Sequence, residues 1–139
     1  MSDATLAIAA LKTALQSVAT VLTGRAALET TSATLPVITI WSTSDQPAAE
    51  QGYGYALQYT RSVTIEYKAT AGAGFHDDLD TALSAIRRAL KNELTDGSPL
   101  SGYATALRQN TATFFAPADN SAIAVVQITL EFDYLERFI

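Results

Sequence analysis

The sequence predicts a small α+β domain in which two main helices pack on one face of a mainly antiparallel sheet of four strands, or five. Three observations predict it. Two segments repeat apolar residues at helical spacing, two others alternate apolar and polar residues as strands do, and the order helix, strand, strand, helix, strand, strand lets both sets of apolar residues be buried together. The 139 residues suit one domain, 1–139, with a core large enough to need no disulfide or metal staple. The chain has no cysteine, which rules out thiolate-ligated zinc and iron–sulfur sites.

The first helix is expected from Asp3 to about Leu22, with Leu11, Leu15, Val18 and Leu22 on one face, Ala7 and Ala14 beside them, and Gly24 beyond its end. Arg25 to Thr34 has no clear period and has room for the short fifth strand. Leu35-Pro36-Val37-Ile38-Thr39-Ile40-Trp41-Ser42 is dense in β-branched and aromatic residues and reads as a strand. Thr43 to Gly54 has the composition of an exposed loop.

Tyr59, Arg61, Val63, Ile65 and Tyr67 then alternate with Thr60, Ser62, Thr64, Glu66 and Lys68, as in a strand with one buried face. A small-residue linker, Ala69 to Gly74, leads to a second helix over about Asp77–Leu94 with a stripe of Leu79, Leu83, Ile86, Leu90 and Leu94. Two more strands follow at about Ala106–Phe115 and Ile123–Leu135, joined by a polar turn as a hairpin. The last carries the clearest pattern, with Val126, Ile128, Leu130, Phe132 and Tyr134 predicted inward.

The chemistry-bearing residues form no recognisable catalytic, cofactor or metal motif. His76, the single histidine, precedes Asp77 and Asp78 where a loop enters a helix, a place where acidic side chains cap amides. Gly72-Ala73-Gly74 lacks the third glycine of a dinucleotide loop and the Gly-Lys-Ser/Thr of a P-loop. No Gly-x-Ser-x-Gly elbow occurs, and Glu131 and Asp133 fall on the outward side of a strand, where solvent explains them. The reading is a protein that is not an enzyme and has no cofactor.

Fourteen Asp and Glu oppose nine Lys and Arg, a net charge of −5, so a general attraction to nucleic-acid backbones is not expected. Charged residues make up 17%, below the usual ~25%, and leave surface to Ala, Thr, Ser and aromatic side chains, a texture suited to protein contacts. The start Met1-Ser2-Asp3-Ala4 has no basic leader and no apolar run reaches a bilayer's width, so a soluble, unexported protein without membrane contact is expected.

Candidate partner contacts are the aromatic and basic residues left over from the core pattern. They are Tyr53 and Tyr55 in the polar loop, Phe75 after the small-residue linker, Arg88 and Lys91 with Arg87 near the end of the second helix, and Phe138-Ile139 at the chain end. The terminal pair is covered either by the domain's own core or by a neighbouring subunit.

These segments together resemble the tail terminator proteins of long-tailed bacteriophages, the minor tail protein U family. The likeness runs through Leu35–Trp41, Arg61–Tyr67, Ala82–Leu90 and Val125–Tyr134, in order and texture and without a short diagnostic motif. The resemblance implies a structural virion protein, made in the host cytoplasm, that forms a ring, usually hexameric, on the head-proximal end of the tail tube. Such a ring stops tube polymerisation and offers the surface for head-tail joining, with the tail tube protein and a connector or neck protein as partners and genome DNA passing through without specific binding. Loops Thr43–Gly54 and Ala69–Phe75 are candidates for those contacts. The alternatives are another neck or head-completion protein of the same kind of particle, or a small-ligand binding module with Trp41, Tyr59 and Tyr67 around a pocket between sheet and helices.

Overall fold

The computed structural model describes residues 3–23, 35–47, 56–95, 99–115, 117 and 123–137. Its elements are α1 (Asp3–Leu15), β1 (Thr20–Thr23), β2 (Val37–Pro47), β3 (Ala56–Thr70), α2 (Phe75–Thr95), β4 (Ala106–Phe115) and β5 (Ile123–Arg137). The strands make one mixed sheet in the order β1-β2-β3-β5-β4, so that the described residues form a small α+β domain with two helices and five strands. β1 runs parallel to β2, and the other three pairings are antiparallel.

α1 is shorter than its apolar spacing predicts. It buries Ala4, Ala7, Leu11 and Leu15 and then stops. The amide of Gln16 donates to the carbonyls of both Lys12 and Thr13, and Val18 N donates to Leu15 O at 3.0 Å, a tightened turn that ends the helix. Val18 and Leu22 do continue the helical period, but Thr20-Val21-Leu22-Thr23 is rich in β-branched residues and β2 offers it a ladder. The strand therefore wins, with Thr20 to Thr23 in register with Val37 to Ile40. Val21, not Leu22, is consequently the residue buried with the core. The fifth strand lies here, and Arg25–Thr34 falls outside the described residues.

β2 also runs further than expected. A register shift between Ser42 and Ser44 lets the polar Ser44–Pro47 keep pairing with Tyr59–Ser62, so the start of the expected loop is strand. Thr43, at the shift, donates its hydroxyl to the carbonyl of Ser62 at 3.2 Å.

The inward set of β5 is as the alternation predicts. Val126, Ile128, Leu130, Phe132 and Tyr134 are all buried, and register brings Tyr67, Ile65, Val63, Arg61 and Tyr59 of β3 beside them. Ile128, Leu130, Phe132 and Tyr134 share one cluster with Leu11 and Leu15 of α1 and Leu83, Ile86 and Leu90 of α2, while Val126 packs with Leu79 of α2 in a smaller one. Each such side chain contributes about 1.5–3 kcal/mol by leaving water.

The segment Leu100–Ala104, which the sequence leaves unassigned, closes the core. Leu100 is fully buried although its φ is 55°, and Ser101 and Gly102 follow at 60° and 83°. Left-handed backbone at two non-glycine residues is costly. Glu93 offsets part of it by accepting the Leu100 amide on Oε2 at 2.6 Å, and Tyr103 N donates to Leu100 O.

Candidate interaction surfaces

Three places gather polar side chains. At one end of the sheet, Asp45 of β2 accepts from Arg61 Nε at 2.8 Å and from the Tyr134 hydroxyl at 2.6 Å. The Arg61 guanidinium lies 5.8 Å from the Tyr134 ring centre, and Tyr59 stacks on that ring. Burial, reinforced by the bond to Asp45, pushes the Tyr134 phenol up to about 12.

On the opposite side of the sheet, Arg108 grips Asp133 through two nitrogens at 2.9 and 2.8 Å and reaches Glu131 at 3.5 Å. Thr60 donates to Asp133 at 2.6 Å and Asn110 to Glu131 at 2.9 Å. The hydrogen bonds from Arg108, together with that from Thr60, outweigh burial and hold the Asp133 carboxyl below its ordinary range. Glu131 and Asp133 thus do face away from the helices, but arginine, threonine and asparagine engage them, where the sequence suggested solvent alone.

The third place is a groove of about 440 Å³ beside α2, walled by Val18, Pro36, Ala69, Ala82 and Ala85, with Tyr67 and Asp78 its charge-bearing or titratable members. Burial and, after it, the Asp78 charge raise the Tyr67 phenol. Trp41 does not belong to this space. It pairs with Thr64, whereas Tyr67 pairs with Ile38, so register puts Trp41 on the other side of the sheet from Tyr59 and Tyr67. The three aromatics of the small-ligand reading therefore do not line one pocket.

His76 is exposed in the first turn of α2 with its ring 4.1 Å from that of Phe75. The helix begins one residue before it, and Asp78 N donates to Gly74 O, so Asp77 and Asp78 complement the helix start from within the first turn instead of capping it. Among the described residues no three His, Asp or Glu side chains meet at metal-binding range. No described helix is long and apolar enough to cross a membrane.

Of the predicted contacts, Phe75 is half-buried against Leu79, Ala124 and Val126, and Arg88 and Lys91 are exposed on α2. Arg87, Arg88 and Lys91 lie in the second half of α2, which runs to Thr95 with no basic residue in its last turn. Tyr53, Tyr55, Phe138 and Ile139 lie outside the described residues. Within the candidate loops, Thr43–Pro47 belong to β2 and Ala69 and Thr70 to β3.

The large apolar side chains that do reach the surface were assigned no such role from sequence. Among the described residues they are Trp41, Leu57, Tyr103, Phe114 and Phe115, the last two 41% and 46% exposed at the end of the edge strand β4. Two adjacent aromatics in a strand always point to opposite sides, so at least one had to leave the core; that parity was the available signal.

Comparison with protein-family models finds none that matches the chain. Comparison with curated proteins finds no match either.

Proposed function

We propose that the chain is a structural assembly protein that forms a ring at the head-proximal end of a phage tail tube, ends tube growth there and presents the surface for head attachment. One observation carries the assembly part of this reading. The edge strand β4 runs ten residues and finishes on two exposed phenylalanines, an apolar end to an unpaired strand edge of the kind that a neighbouring chain covers. The polar clusters support it from the other side, because Arg61 is spent on Asp45 and Arg108 on Asp133 and Glu131. The assignment to a tail terminator rests on the resemblance of the segments, and the mainly antiparallel sheet with both helices on one face belongs to the same reading.

Light scattering with electron microscopy tests it. The parent should form rings and decorate the ends of purified tail tubes, and Phe114→Ser with Phe115→Ser should lose both while melting close to the parent, since exposed positions contribute little to folding. A chain that remains monomeric at high concentration and leaves tube ends bare would overturn the proposal.

A further inference from the structure

The exposed face of α2 segregates its charges. Asp77 and Asp80 occupy its first half and Arg87, Arg88 and Lys91 its second, with Ser84 between them, and all are exposed. None is ion-paired to another described residue. The arrangement does nothing for the isolated helix. Arg87 and Lys91 are four apart and Arg88 and Lys91 three apart, spacings at which like charges repel, and no acidic residue stands four before a basic one on this face. The helix dipole does not account for the basic half either, because its influence fades within the terminal turn and the last turn here holds no cation.

We propose that this face pairs with the same face of a second copy, antiparallel and about a two-fold axis at Ser84. Superposing α2 on a reversed copy about that residue sets Asp77 against the partner's Lys91, Asp80 against the partner's Arg88 and Thr81 against the partner's Arg87. Ser84 then meets the partner's Ser84. Asp77, Asp80, Arg88 and Lys91 each gain an opposite across the axis while Arg87 faces a threonine, each charge pair occurs twice, and the small central residue lets the helices approach. The contact is isologous and so differs from the head-to-tail contact by which a ring closes. It joins two chains, or two rings face to face, and stands or falls apart from the ring. Exposed ion pairs carry it, so it is weak and sensitive to salt.

Sedimentation over a concentration series provides the test. Two-chain association should weaken about tenfold in Asp80→Arg and likewise in Arg88→Asp, each of which faces like charge across the axis. An equimolar mixture of these two variants should recover 1:1 pairing, and about 0.5 M NaCl, where screening acts over about 4 Å, should abolish it. The parent has no cysteine, so Ser84→Cys joined by a short bis-maleimide should yield a linked dimer that Ser44→Cys, exposed on the interior strand β2, does not. Unchanged association in the reversal variants, or equal linking at both cysteines, overturns the two-fold pairing. Ring size, read separately by microscopy, shows whether the assembly reading survives without it.

Discussion

Tyr134, near the end of β5, donates its phenolic hydrogen to Oδ2 of Asp45 in the extension of β2 at 2.6 Å, across the strand β3 that lies between them. The pair ties the polar end of β2 to the buried face of the sheet. Tyr134→Phe keeps the ring and removes this charge-assisted bond, so a loss of about 1.5 kcal/mol is expected in denaturant unfolding. The sign of the pH dependence follows from a folded value raised to about 12. The stabilisation is complete below the ordinary tyrosine value, about 10, and disappears as pH rises through the folded one. The difference in melting temperature between parent and variant should therefore hold near pH 8 and shrink above about pH 10.

Asp133 acts at the other end of the pH scale. Its folded pKa is lowered, chiefly by Arg108, so its contribution is present above the ordinary aspartate value, about 3.9, and is lost as pH falls through the folded one. Asp133→Asn should melt below the parent near neutrality, and the gap should narrow in strongly acid buffer. A gap independent of pH would mean that the carboxylate charge is not what matters.

Ser101 has a φ of 60° and an exposed side chain, so the left-handed turn gains nothing from its Cβ. Ser101→Gly is expected to stabilise by about 1 kcal/mol. Leu100→Gly should do the reverse despite a similar φ, because Leu100 fills the core and its loss leaves a cavity. Thermal melts of the two variants, moving in opposite directions, check the pair.

Thr39 is fully buried and its hydroxyl has no hydrogen-bond partner among the described residues. Thr39→Val keeps the shape and removes the unsatisfied group, so stability should rise by about 1 kcal/mol. A loss instead would indicate that the hydroxyl is satisfied in solution.

Ile86 and Ile128 face each other's layers with 0% and 1% exposure. Replacing either by Asp puts a charge into an apolar interior and should cost about 4 kcal/mol or more. A variant that melts like the parent would refute the inward assignment of that element.

The sequence by itself determined the elements whose pattern and burial agree. α2 and β5 are long, and their apolar periods of 3.6 and 2 admit only one inward face, so Leu79, Leu83, Ile86 and Leu90, like Val126 to Tyr134, were legible before any coordinates. Tertiary structure decided Thr20–Thr23, where a helical spacing and β-branched residues conflict and the free ladder of β2 breaks the tie. It also decided which polar residues meet. Asp45 and Tyr134, or Arg108 and Asp133, are remote in sequence, and only strand register, bulges included, brings them together. The charge pattern of α2 could be read as residues in a line, but its helix length and its exposed side come from packing against the sheet. Local periodicity encodes which side of an element is buried; it carries no information about which element lies next to it.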